Sequence, residues 1–277
     1  MRLISLLVTL VLIGGGGLYV WKNHPEVRNW VLANFDTGTE FPTLEVRFSG
    51  DQIMEANRKE LLKGEQYTYR RAELLFVPYA LMEVKFSTRG NQTREAVILW
   101  GLEDGEMVVD TATWKKSHGF EDCLNAGADR NDYKVVTALA QNSGSMRLDQ
   151  LASALYVQEE VLDGWLESCR KKKLVVASGG EVRLHFERPY LEVAPETQLG
   201  CPLVTKSSKS GTRVPRRYSI NQIEKGTQAA FGNDYTIRRS TEVFLPVYRI
   251  EVQNPDGSIF TTHWNALNGQ RTHSITF

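Results

Sequence analysis

The chain has no surplus of charge of either sign. Its 277 residues carry 33 basic and 33 acidic side chains, so no overall field exists to hold nucleic acid or an anionic surface, and any such binding must be local. Cysteine is scarce. Cys123, Cys169 and Cys201 are an odd number without CxxC or Cys/His ligand spacing, which disfavours a disulfide framework and a structural zinc site alike. GxSxG, HExxH, P-loop and GxGxxG motifs are all missing. The five histidines, His24, His118, His185, His263 and His273, are scattered, and paired acids such as Glu103-Asp104 read as a solvated turn. An enzyme is therefore disfavoured, and no cofactor, metal or small-molecule substrate is indicated. What is present, 42% hydrophobic and 24% charged residues, is the composition of one large or two to three small globular units.

One long apolar run stands out. Leu3 to Trp21 contains no charge and as a helix would cover ~28 Å, about the thickness of a bilayer core. The competing reading is a cleaved secretory signal, but the run exits through Leu18-Tyr19-Val20-Trp21-Lys22 rather than through small residues, and Tyr19, Trp21, Trp30 and Lys22 suit an interfacial belt. The expectation is a single-pass anchor over residues 1–30, with membrane lipid as one partner. Orientation is undetermined by charge, because Arg2 and the amino terminus oppose Lys22 and Arg28.

The chain also repeats itself. Tyr67 to Val84 aligns without gaps on Tyr235 to Val252, with Tyr, Thr, Arg, Arg, Phe, Pro, Glu and Val identical. Upstream, Arg47-Phe48-Ser49-Gly50-Asp51-Gln52-Ile53 recurs as Arg217-Tyr218-Ser219-Ile220-Asn221-Gln222-Ile223, and downstream Trp100 to Gly105 recurs as Trp264 to Gly269. Ser49 with Gln52 and Ser219 with Gln222 have capping-box spacing, so each copy opens with a helix, the second shortened and weakened by Gly226. Arg71 to Phe86 and Arg239 to Gln253 read as strands in which Pro78 and Pro246 mark an edge or a break. Glu95 to Leu102 and Ile259 to Leu267 supply the next strands, and Gly105 and Gly269 turn into a third. Each unit is a helix plus a three-stranded antiparallel meander, α+β, and both tryptophans are expected to be buried at equivalent positions.

The run Leu245-Pro246-Val247-Tyr248-Arg249-Ile250-Glu251-Val252, followed by Asp256-Gly257 and by Ala266-Leu267-Asn268-Gly269, resembles the PepSY family of small exported domains. The likeness covers about 50 to 60 residues per copy and is clearer in the second; Trp264 and Asn265 stand where the family carries an acidic residue near the final turn. The resemblance implies a non-catalytic module outside the cytoplasm with a peptidase-inhibitory or regulatory role.

Between the copies, Tyr133 to Gln141, Leu148 to Leu155 and Gln158 to Lys173 read as three helices followed by a hairpin, Leu174 to Val176 and Val182 to Phe186, an order that resembles a winged helix. Its third helix offers Glu159, Glu160, Asp163 and Glu167 where a DNA reader needs cations. Arg170 to Lys173 suit the carbonyl end of that helix. Nucleic acid is therefore a disfavoured partner. Lys206 to Arg217, basic and without acids, reads as a solvated, flexible connector, with contact to anionic lipid or an acidic partner as the sharper alternative.

The domain plan is accordingly an anchor at 1–30, PepSY-like copies at 43–118 and 218–277, a winged-helix-like insert at 131–188 and a basic linker at 200–217, giving two lobes around an insert. The expected function is a membrane-anchored extracytoplasmic protein-binding or regulatory module. The alternatives are a membrane-tethered winged-helix nucleic-acid regulator and an envelope assembly scaffold. Candidate binding residues are Tyr248, His263 and Trp264 in the second copy, Lys171 and Lys172 in the insert, and Arg216 and Arg217 in the linker.

Overall fold

The computed structural model describes residues 40–88, 90, 92–191, 193–207, 211–272 and 275, with 205–207 as backbone only. The predicted span and anchor lie outside these residues, and no described helix is long and apolar enough to cross a membrane. The first copy comprises β1 (Glu40–Leu44), α1 (Gly50–Ala56), α2 (Arg58–Leu61), β2 (Thr68–Ser87), β3 (Thr93–Gly101), β4 (Met107–Asp110) and β5 (Lys115–Lys116). The middle of the chain forms α3 (Phe120–Asn125), α4 (Arg130–Gln141), β6 (Ser145–Arg147), α5 (Leu148–Leu155), α6 (Glu159–Lys171), β7 (Val175–Ser178), β8 (Glu181–Leu184) and β9 (Leu203–Ser207). The second copy follows as β10 (Thr212–Arg213), α7 (Ile220–Phe231), β11 (Tyr235–Gln253), β12 (Ile259–Asn265) and β13 (Arg271–Thr272).

The fold is α+β, dominated by one curled antiparallel sheet with strands in the order β13-β12-β11-β2-β3-β4-β5. Its centre is the pairing of β2 with β11, the two aligned segments of the duplication. Val77 lies directly opposite its own counterpart Leu245, Pro78 opposite Phe244, and Phe76 opposite Pro246. Register shifts fall between Arg71 and Tyr69 on one strand and between Ile237 and Arg239 on the other, leaving Arg70 and its counterpart Arg238 as the extra residues. The copies are thus related by an approximate two-fold axis through Val77 and Leu245.

Equivalent ends obey the same symmetry. Both capping boxes are formed. Ala266 O accepts from Arg47 N and Phe48 N, while Leu102 O accepts from Arg217 N and Tyr218 N. Each copy's entry segment therefore binds the other copy's turn. Likewise β1 pairs in parallel with β11 at Phe244, and β10 in parallel with β2 at Phe76. The helices follow: Ile53 of α1 packs with Ile250, Val252 and Trp264 of the second copy, and Ile223 of α7 packs with Ala80, Met82 and Trp100 of the first. The expected pair of self-contained lobes is corrected to two interlocked halves, each built from both copies. The long central strands cross the axis, so each strand contributes its start to one half and its end to the other.

This crossing explains three further corrections. Pro78 and Pro246 lie within the two central strands. Pro78 O accepts from Leu102 N and Pro246 O from Ala266 N. Because a strand residue's N–H and C=O point to the same side, each missing N–H faces outward, where β3 or β12 has ended, and the central ladder loses nothing. The second-copy helix is the longer one, at 12 residues, whereas the first copy is interrupted at Asn57. Gly226 sits inside α7 because a Cβ there would collide with Leu124 of the helix α3 packed against it. The stretch read as a flexible connector supplies β9, which pairs with β1, and β10; Arg213 stacks on Phe41 and Phe244 at 4.2 and 5.3 Å.

The insert has its own small sheet, β6-β8-β7, against α4, α5 and α6. Asp129 and Asp132 form a capping box at the start of α4, and Lys172 reaches both carboxylates; Asp132 is fully buried. Leu139, Leu151, Leu162 and Val182 fill the centre and run without a break into the core around Trp100 through Phe120 and Tyr133.

Candidate functional site

The sheet face opposite the helices is lined at the axis by the symmetric pairs Leu75 and Val243, Val77 and Leu245, and Tyr79 and Val247. A groove opens over this floor in two adjoining sections of about 370 and 770 Å³, which share Lys116, Ser117, His118 and Thr272. Two turns related by the axis frame it. The first, Gly101 to Gly105, contributes Glu103 and Asp104; the second, Asn265 to Gly269, contributes Asn265 and Asn268. Gly105 and Gly269 have φ of 70° and 72°, and the amide of each donates back to residue 101 or 265.

The backbones match, but the chemistry does not. Where the second copy has Val247, the first has Tyr79, and where it has Asn268, the first has Asp104. Lys116, on β5, donates to Asp104 and to the Tyr79 hydroxyl at 2.8 Å. Burial alone would lower the Lys116 pKa, but the Asp104 carboxylate and Tyr79 outweigh it and hold the ammonium above its usual range. Burial pushes Tyr79 up to about 12. The turn acids read as solvated are therefore half-buried: burial, with Asp104 beside it, raises Glu103. Behind them Glu106 accepts from Ser117 Oγ at 2.6 Å and from the amides of Gly119 and Glu121 at 2.8 and 3.0 Å, capping α3, and burial raises its pKa as well. Trp114 packs edge-on against Tyr79, with ring centroids 5.5 Å apart.

The residues singled out from sequence do not converge here as a set. Trp264 is 2% exposed and donates to Thr262 Oγ1, so it is core and presents no surface to a partner. His263 is 4% exposed, its Nε2 lacks a hydrogen-bond partner, and burial followed by Arg249 lowers its pKa. Half-buried Tyr248 packs its ring 3.1 Å from the space a Cβ on Gly50 would take, locking α1 to the sheet. Lys171 is exposed and pairs with Glu167, while Lys172 holds the buried Asp132. Arg216 pairs with Glu242. Arg217 alone reaches the groove, where it pairs with Glu121. Tyr79, Asp104, Trp114, Lys116 and Asn265 were missed. One signal could have found three of them: Tyr79 and Asn265 occupy positions at which the two aligned copies differ in polarity, and Asp104 one at which they differ in charge.

Among the described residues no group of three His, Cys, Asp or Glu side chains is placed to hold a metal ion. Cys123 and Cys169 are buried in the core, where burial raises both thiols far above their usual range. Comparison with known proteins finds no matching family model, no curated relative and no similar solved structure.

Proposed function

We propose that the chain is a membrane-anchored, extracytoplasmic binding or regulatory module without catalysis, in which two PepSY-like copies share one sheet and carry a winged-helix-like insert. The groove at the two-fold axis carries this reading. It has an apolar floor, polar walls and side chains held by one another, which is the build of a recognition site. Its Ser117 hydroxyl donates to Glu106, and Glu106 in turn accepts from the amides of Gly119 and Glu121 at the start of α3, so these groups hold one another in place. The exported character comes from the PepSY resemblance and the anchor from the uncharged run Leu3 to Trp21. Protease accessibility in intact cells, read with a carboxyl-terminal tag, tests the proposal: cleavage of the globular part with the amino-terminal segment retained is expected, and protection until the cells are permeabilised would overturn it.

One observation favours a second reading. The insert has three helices, α4 to α6, and a small β6-β8-β7 sheet, which supports the winged-helix resemblance read from its sequence, and a winged helix reads DNA with its third helix. Here α6 exposes Glu159, Glu160, Asp163 and Glu167, which repel phosphate, so the charge argues for a protein contact. Salt-dependent gel shifts of the full chain with duplex DNA, lost in Lys171→Glu, would reverse that ranking.

A further inference from the structure

The larger section of the groove is lined by Lys116, Arg271, Asn265, Asn268 and Trp114 among others, and among the described residues no carboxylate lines it. It contains an unsatisfied donor. Asn265 is 1% exposed; its Oδ1 accepts from Leu267 N at 2.8 Å, which fixes the amide orientation and turns Nδ2 the other way, where among the described residues it has no partner. A buried N–H left in this state is costly unless an acceptor arrives. The indole N–H of Trp114, which leans toward the Tyr79 hydroxyl, also lacks hydrogen-bond geometry to an acceptor among the described residues. Lys116, which also lines this section, spends two of its three protons on Asp104 and Tyr79, leaving a third uncommitted. An amide N–H and an indole N–H beside an ammonium call for an acceptor-only anion.

The adjoining section selects which anion. Its floor is Val77, Leu245, Val247 and Ile275, and its wall holds Glu103 and Glu121. A phosphate dianion would meet those carboxylates, whereas a singly charged carboxylate with an apolar body can point its charge at Asn265 and rest its body on the floor. The site exists once per chain, because the counterpart of Asn265 is Gly101, whose side-chain space Asp104 fills.

We infer that the groove binds a carboxylate ligand with an adjacent apolar group, through Asn265 Nδ2, Trp114 Nε1 and Lys116 Nζ. The chemistry is shared by the carboxyl end of a peptide and by a free branched-chain acid. The inference rests on the binding-module reading and names its ligand class.

Calorimetric titration of the full chain in detergent micelles tests it with N-acetyl-alanyl-leucine, the corresponding carboxamide, isovalerate and inorganic phosphate. The dipeptide acid is expected to bind at least about tenfold more tightly than its carboxamide, the loss associated with one hydrogen bond to a charged group, and more tightly than phosphate. Isovalerate as tight as the dipeptide supports the inference with a free acid as the source; weaker isovalerate supports it with a peptide end. Asn265→Asp keeps the acceptor for Leu267 N while replacing the free donor by an anionic oxygen, and is expected to abolish the titration. Should that variant fail to fold, Trp114→Phe removes the indole N–H but keeps a ring against Tyr79, and is expected to weaken binding several-fold. Equal binding of acid and carboxamide, binding untouched by these substitutions, phosphate binding as tightly as the dipeptide, or no heat with any probe would each overturn the carboxylate assignment. A cytoplasmic topology would instead overturn the module reading and leave the measured affinities standing, so the two failures are distinguishable.

Discussion

The two halves of the sheet are built from the same duplicated sequence yet sit in different surroundings. Under α7, Trp100 stacks on Phe120 and approaches Phe231, and its core continues through Tyr133 into the insert. Under α1, Trp264 joins a smaller buried cluster among the described residues, Ile53, Leu61, Ile250 and Val252, with Met54, Leu62, Tyr67, Tyr69 and Tyr248 at the margin. The insert thus docks against one half. A duplicated unit supplies the frame, and what is placed between the copies decides which half gains the larger core and which keeps the smaller.

Core truncation probes this difference most strongly. Trp100→Ala is expected to cost about 5 kcal/mol and Trp264→Ala about 3 kcal/mol, measured by denaturant unfolding. Equal losses would mean that the insert adds nothing to the Trp100 half.

The insert's own contribution can be isolated at Asp132. Its carboxylate is fully buried against Lys172 and accepts from Asp129 N at 2.8 Å. Burial would raise its pKa, but Lys172 and the Asp129 amide outweigh this and lower it. A depressed carboxylate contributes stability that is present above its unfolded pKa and lost as pH falls through the folded one. Asp132→Ala removes the buried partner of Lys172 and leaves it only the exposed Asp129 carboxylate, so a loss of about 3 kcal/mol is expected at neutral pH, and less in acid; a loss unchanged between pH 7 and pH 3 would show that the ion pair is not its source.

Gly226→Ala examines the docking surface itself. Helix propensity alone would favour alanine by about 1 kcal/mol. The collision with Leu124 reverses the sign, and a net loss of about 1 to 2 kcal/mol is expected in thermal unfolding; stabilisation would mean that α3 can withdraw from α7.

The smallest effect belongs to the half with the smaller core. His263 has a folded pKa below its unfolded value, chiefly through burial, so its contribution is intact above about pH 6.5 and is lost as pH falls toward the folded pKa, where the unfolded chain binds the extra proton. His263→Gln should flatten the stability profile between pH 7 and 5, and an unchanged slope would assign that titration elsewhere.

Local chemistry made much of the frame legible. Capping boxes at Ser49 and Ser219, strands rich in aromatic and β-branched residues, turn glycines at positive φ and the order of helices in the insert each depend on neighbours within a few residues, and repetition of the blocks showed that the same unit occurs twice. The prolines misled because their meaning depends on which side of a strand lacks a partner, and Gly226 because its reason lies in Leu124, far away in the chain.

Spacing along the chain was enough for the helix caps, most of the helices and strands and their duplication, since those rest on residues that touch through the local backbone. Tertiary structure alone decided that the copies interlock. That outcome follows from pairing β2 with β11 in register about Val77 and Leu245, a choice between long-range partners that no local pattern encodes. The groove has the same origin. Tyr79, Lys116 and Asn265 come from three separate strands, and they become neighbours only when two long strands cross the axis and bring one copy's turn alongside the other's.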